Sequence, residues 1–257
     1  MRSPFDLTAR RALVVGGTSG LGRESALALA RAGARTAATG RRAAEVERVA
    51  QEIGEIGMET FAHPVDATDP RSLESLRKRV TDEWGGLDIL VYAAGRTVKA
   101  PTAELDLDTW NAVRTVNLEG CLLTCQAFFP LLRQSQCARI VTFASLTSTL
   151  AFHQVAAYSA AKAAVLSLTR SLGCEWGPLG IRVNAVVPGV FVTDLNRELL
   201  EGTPRGQELR MRTPLGRFGN AEELAPAVVF LASDAASFIT GAAIPVDGGF
   251  LASGVNQ

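Results

Sequence analysis

The stretch that most restricts the fold lies near the start of the chain. Arg11-Ala12-Leu13-Val14-Val15 is a short apolar run, broken by Gly16-Gly17-Thr18-Ser19-Gly20-Leu21-Gly22. An alanine-rich segment then continues to Ala32, where Gly33 supplies a helix stop. A buried strand, a glycine turn and a helix in that order form one unit of a parallel α/β sheet. The turn brings the backbone amides of a helix N-terminus to face the ligand side, a position that suits the charge of a pyrophosphate. Gly16, Thr18, Ser19, Gly20, Leu21 and Gly22 are therefore candidates for a dinucleotide cradle. Gly16, Gly20 and Gly22 are separated by three residues and one, unlike the commoner G-x-G-x-x-G, so their placement between strand and helix carries the inference.

The alternation continues along the chain. Strands are predicted at 35–40, 59–65, 87–92, 139–143, 181–187 and 243–246, and helices at 43–56, 70–83, 108–134, 157–176 and 221–231. Asp69 is the expected N-cap of the helix that begins at Pro70, and Pro130 is expected to kink the last turn of its helix. His63, next to a proline in the predicted third strand, reads as structural. Such a pattern gives a parallel sheet covered on both faces, with ligand at the carboxyl ends of its strands. Gly20, Gly95, Ser145 and Gly189 all fall at such ends. Residues 190–219 mix glycine, proline and charge, as a mobile cover over a site would.

Charge and composition narrow the partners. Lys+Arg equals Asp+Glu, at 26 each, which argues against nucleic acid or an anionic membrane. The opening Met-Arg-Ser-Pro-Phe-Asp lacks an apolar signal region, and no stretch approaches the roughly 18 apolar residues of a membrane span. A soluble, cytoplasmic protein is expected. Cys121 and Cys125 lie one helical turn apart, but no second ligand pair follows at zinc-site spacing. Buried thiols are expected there, and no metal site.

The second strand ends at Gly40, followed by Arg41 and Arg42. NAD binding would place an acid here for the ribose hydroxyl; two arginines suit the extra phosphate of NADP, which is favoured over NAD. Asp66, beside Ala67 at the end of the third predicted strand, could accept a bond from the adenine amino group. Farther along, Tyr158-Ser159-Ala160-Ala161-Lys162 puts a phenol and an ammonium on one helical face, with Ser145 thirteen residues upstream. A lysine beside a phenol favours the phenolate and brings a poor base towards a working pKa.

Together these residues resemble the short-chain dehydrogenase/reductase family, over the chain from about Leu7 onwards. Gly16-x-x-x-Gly20-x-Gly22, Asp66, Ala93-Ala94-Gly95, Asn117, Ser145, Tyr158-x-x-x-Lys162, Pro188-Gly189, Thr193 and Asp247-Gly248-Gly249 follow the family's order and spacing. The resemblance implies one Rossmann-type doubly wound domain spanning 1–257. Its seven-stranded parallel sheet would run in the order 3-2-1-4-5-6-7, with helices on both faces. It also implies reversible hydride transfer between NADP(H) or NAD(H) and a ketone or secondary alcohol. Tyr158 would handle the proton, Lys162 would hold the nicotinamide ribose, Ser145 would bond the substrate oxygen, and Asn117 would anchor a relay water. Ala93, Ala94, Gly95, Pro188, Gly189, Phe191 and Thr193 would border the cofactor, with Thr193 on the carboxamide. Arg96, Thr147, Phe152, His153, Gln154 and parts of 190–212 would surround the substrate.

Two positions depart from the pattern. Val15 stands where the family usually has Thr, and Tyr92 where it usually has Asn; an apolar Val15–Tyr92 contact is expected instead. The two ends of the chain resemble sugar-acid dehydrogenases of the family, gluconate 5-dehydrogenase among them. A 3-oxoacyl-acyl-carrier-protein reductase is the alternative, and a non-catalytic nucleotide-binding scaffold a remote one. Relatives imply a homotetramer, pairing the helices at 119–134 and 157–176, where Ala157, Ala160, Ala161 and Ala164 offer a close-packing face.

Overall fold

Strands buried on both faces should be mainly apolar, and the central ones are, with Thr36, Thr39, Thr142 and Asn184 as buried polar exceptions. In the computed structural model, which describes residues 3–193 and 196–254, β1 (Arg11–Val15), β2 (Arg35–Thr39), β3 (Ile89–Tyr92), β4 (Arg139–Phe143), β5 (Arg182–Pro188) and β6 (Ala243–Val246) form one parallel sheet. Its order is β2-β1-β3-β4-β5-β6. Every residue of β3 and β4 is buried, whereas β6, at the edge, alternates exposed and half-buried positions.

Side chains alternate across the sheet, so each strand feeds two cores. Ala12 and Val14 join the core beneath α1 (Gly20–Arg31), α2 (Ala43–Glu55) and α9 (Ala221–Ala232). Leu13 and Val15 face the opposite core, under α3 (Pro70–Trp84), α5 (Gly120–Gln134) and α6 (Ala156–Trp176). Asp69 caps α3 as expected, accepting a bond from the Arg71 N–H at 2.9 Å.

The predicted third strand is a correction: the sheet has six strands among the described residues, not seven. Residues 59–65 run beside β2 but touch its backbone only near their ends. The Thr36 N–H donates to the Glu59 carbonyl, and the Val65 N–H to that of Gly40. Pro64 has no N–H to give to a ladder, and the Thr39 hydroxyl takes the His63 carbonyl instead. The His63 ring lies 3.2 Å from the Ser75 hydroxyl, an ordinary structural contact.

The long helix predicted over 108–134 is also modified. It comprises α4 (Leu107–Arg114), a five-residue π-type turn (Thr115–Glu119) and α5. Pro130 lies inside α5, which continues past it to Gln134. Contrary to the reading of the sequence, Leu107–Gln134 is long and apolar enough by composition to cross a membrane. Its apolar side is a core face, with Cys121, Cys125, Phe128 and Leu132 fully buried against the sheet.

The segment expected to cover the site, 190–219, includes α7 (Arg197–Leu200) and α8 (Pro204–Met211). Asp194 and Leu195 lie outside the described residues. Its two ends are pinned together: the Gly219 N–H donates to the Val190 carbonyl and the Val192 N–H to that of Gly219. The segment is thus a partly helical loop closed at its base.

Candidate active site

The glycine turn is built against the turn after β3. Gly16 has φ +83°, and a Cβ there would lie 2.3 Å from the Ala94 nitrogen, so glycine is required twice over. Gly16 and Gly17 both donate to the Thr39 carbonyl, and the Ala93 N–H donates to Val15. These bonds draw the ends of β1, β2 and β3 together. Ser19, the N-cap of α1, makes no side-chain capping bond, and no acidic residue occupies the helix's first turn. That leaves a helix N-terminus electrically suited to an anion. Thr18 lies against Gly40, and its carbonyl accepts a bond from Arg48 at 3.2 Å. Arg48 is itself held by Glu45 and Glu52. Sequence reasoning missed Arg48 because it reaches the turn from the middle of α2.

The residues expected to meet the adenosine lie beyond β2 and around Asp66. Arg41 and Arg42 are exposed just past β2. Asp66 Oδ1 accepts bonds from the Thr68 N–H and hydroxyl, which hold its carboxyl below the usual range, with a smaller contribution from Arg41. Ala67 is buried beside it. On the nicotinamide side, Thr193 lies over the glycine turn, its methyl 3.5 Å from where a Gly20 Cβ would sit. Asn196 fastens this segment, donating to the Phe191 carbonyl and accepting from the Thr193 N–H. Gly189, just beyond Pro188, is anchored through its N–H to Val246. The residues present fit a dinucleotide: a glycine cradle, a helix N-terminus and exposed guanidinium groups beyond β2.

Ser145, Tyr158, Lys162 and Asn117 converge at the carboxyl ends of β3 and β4. Tyr158 and Lys162 share a face of α6, with Lys162 Nζ 5.7 Å from the centre of the Tyr158 ring. Ser145 hydrogen-bonds Tyr158. Thr147 is buried with its hydroxyl on Ser145 Oγ at 3.1 Å, so it supports Ser145. Lys162 is 3% exposed and donates to the Phe143 carbonyl at 2.7 Å. Burial lowers its pKa to about 8. Burial also raises the pKa of Tyr158, opposed by the bond from Ser145. The lowering expected from Lys162 comes from Ser145 instead, and desolvation outweighs it.

Asn117 is fully buried on the π-type turn. Its Nδ2 donates to the carbonyls of Arg96 and Val113, at 2.7 and 2.8 Å. Its Oδ1 has no hydrogen-bond partner. A point beside Gly95, where a Cβ would sit, is 3.0 Å from Asn117 Oδ1 and 3.7 Å from Lys162 Nζ. The two polar atoms border the same small space.

Among the proposed substrate residues, Arg96 and His153 are exposed and Gln154 is half-buried. Gln154 has φ +64°, uncommon for a residue other than glycine, and its carbonyl accepts the Ala100 N–H. That bond joins the loop carrying Arg96 to the loop before Tyr158. Phe152 packs on Phe250 at 5.9 Å between ring centres, and Arg212 lies over Phe250. The two thiols at Cys121 and Cys125 are free and buried. Among the described residues, no group of three or more His, Cys, Asp or Glu could hold a metal.

A family model described as enoyl-(acyl carrier protein) reductase matches residues 15–251. D-threitol dehydrogenase of Mycolicibacterium smegmatis is 39% identical over 246 residues, covering 96% of this chain and 94% of that protein. The 3-oxoacyl-acyl-carrier-protein reductase of Salmonella typhimurium is 35% identical, over 93% of this chain and 96% of its own. Among solved structures, gluconate 5-dehydrogenase from Burkholderia cenocepacia, in complex with NADP and tartrate, superposes with a TM-score of 0.93. It is 33% identical, and the match covers 98% of each chain. A short-chain type dehydrogenase/reductase from Mycobacterium marinum gives 0.91 at 34% identity, over 97% of this chain and 98% of that one.

Proposed function

The chain belongs to the short-chain dehydrogenase/reductase family of NAD(P)-dependent oxidoreductases, and we propose that it interconverts a ketone and a secondary alcohol on a sugar acid or polyol. The observation that carries this reading is the convergence of Ser145, Tyr158, Lys162 and Asn117 beside Gly95, next to a cradle built for a dinucleotide. The nicotinamide, when bound, supplies or accepts the hydride. Tyr158 Oη gives a proton to the carbonyl oxygen in reduction, or takes one from the alcohol in oxidation. Ser145 Oγ, steadied by Thr147, bonds that same oxygen and stabilises charge developing on it. Lys162 Nζ orients the nicotinamide ribose and returns the proton through a water held at Asn117 Oδ1, the buried acceptor that lacks a protein partner.

NADP is the favoured cofactor, a reading supported by the exposed Arg41 and Arg42 just past β2, which can form charge-assisted bonds with a 2′-phosphate. Arg96, His153 and Gln154 line the substrate side, and Arg96 offers a partner for a substrate carboxylate. The acidic or polyhydroxylated substrate follows from that arginine and from relatives named for threitol and gluconate. A second reading, a 3-oxoacyl-acyl-carrier-protein reductase, draws support from exposed Arg210 and Arg212 on the cover, where an acidic carrier could dock, and from the Salmonella relative. Retention of both Tyr158 and Lys162 disfavours a non-catalytic scaffold. The protein works in the cytoplasm, as a homotetramer.

The test is a spectrophotometric assay of NADPH and NADH oxidation against sugar-acid ketones, simple ketones and an acetoacetyl thioester. Turnover with the keto acids ahead of the thioester supports the first reading. Preference for the thioester supports the second, and no turnover with any of them refutes both.

A further inference from the structure

Tyr92, which replaces the usual Asn, makes contacts that reach beyond its apolar neighbour. It pairs in register with Val15, and both are buried in one core. Its hydroxyl, however, donates to the Val116 carbonyl at 2.5 Å. Val116 lies on the π-type turn, immediately before Asn117. In an α-helix the Val116 carbonyl would accept the Gly120 N–H. Here the Gly120 N–H goes one residue farther back, to Thr115, as π geometry requires. The phenol therefore meets a carbonyl that the widened turn has released from its α-helical partner.

Gly120 completes the arrangement. A Cβ at that position would lie 2.4 Å from the Tyr92 hydroxyl oxygen, so only glycine leaves room for the phenol. The hydroxyl is a dependable donor. Burial pushes its pKa well up, and the Cys121 and Cys125 thiols on α5 and the Asp66 carboxylate before α3 act in the same direction. One residue along, the Asn117 amide is braced by the Arg96 and Val113 carbonyls, and its Oδ1 is left pointing at the space it shares with Lys162.

We propose that Tyr92 is a positioning residue: its hydroxyl clamps the π-type turn through Val116 and so fixes the direction of Asn117 Oδ1, with Gly120 providing the space. The inference rests on the proton-relay role assigned to Asn117 above. A buried tyrosine whose hydroxyl merely satisfies the nearest carbonyl would support the core and leave the turn indifferent to its loss.

Two measurements on the full-length protein separate these cases. Tyr92→Phe keeps the ring and removes one hydrogen bond. Backbone amide exchange should then quicken about tenfold across residues 115–121 and stay unchanged elsewhere, with kcat falling about three- to tenfold, the scale of one net hydrogen bond. KM for NADPH should not move, whereas a general loss of stability would alter both constants. Gly120→Ala, which crowds the hydroxyl, should loosen the same segment, and combining it with Tyr92→Phe should restore part of the lost protection. Unchanged exchange in Tyr92→Phe overturns the clamp; faster exchange with unaltered kcat overturns the positioning role. An unsubstituted protein with no turnover on any ketone or alcohol refutes the enzymatic reading instead, and the exchange measurement still decides the clamp.

Discussion

Lys162 bears the main electrostatic cost of the site, because its ammonium is buried and hydrogen-bonds the neutral Phe143 carbonyl rather than a carboxylate. Its pKa of about 8 lies below the ordinary 10.5. Between those values the unfolded chain holds a proton that the folded protein has shed, so folding stability rises with pH across that window. Below pH 8 the penalty is fully present. Compared with the unsubstituted protein, Lys162→Met should therefore gain relative stability, on the order of 3 kcal/mol, as pH falls from about 10.5 to 7. Urea unfolding at the two pH values measures it, and a parallel dependence in both proteins would rule it out. Tyr158→Phe should leave NADPH binding intact while lowering kcat by about a hundredfold or more, the range for a lost general acid; single-turnover kinetics with a titrated cofactor will show it. The tyrosine and lysine could be read from a four-residue spacing. Their electrostatics could not, because desolvation depends on what α6 packs against.

At the scale of elements, strands β1, β4 and β6 coincide with the predicted runs, since each is a short apolar stretch between turn residues. The departures have local causes. Pro64 interrupts the predicted third strand, and the π-type turn around Asn117 leaves no mark on hydrophobic periodicity. Thr147 reads from the sequence as a substrate contact, and its bond to Ser145 is a detail that only the backbone path after β4 reveals. Beyond the end of β2, the proposed preference for NADP rests on the exposed Arg41 and Arg42. Replacing both with alanine should raise KM for NADPH about tenfold or more, the scale of charge-assisted bonds, with NADH affected far less. Steady-state kinetics with both cofactors will decide; equal effects on the two would remove these arginines from cofactor selection.

For the whole molecule, equal numbers of acidic and basic residues and a sheet covered on both sides suit an enzyme that acts on a small molecule. Ala157 and Ala161 are buried within the subunit, whereas Ala160 is exposed and Ala164 half-buried, which leaves part of that face for a neighbouring helix. Light scattering should give a mass close to four times 27.2 kDa; a monomer mass would contradict the tetramer. The central claim, though, concerns chemistry at the end of the sheet. NADPH carrying deuterium at its transferable position, incubated with the protein and the best ketone substrate, tests it most directly. One deuterium should appear on the carbinol carbon of the product, and about a hundredfold less labelled product should form in the same time with Tyr158→Phe. An alcohol product without deuterium, or labelled product formed equally by the Tyr158→Phe variant, would contradict the account.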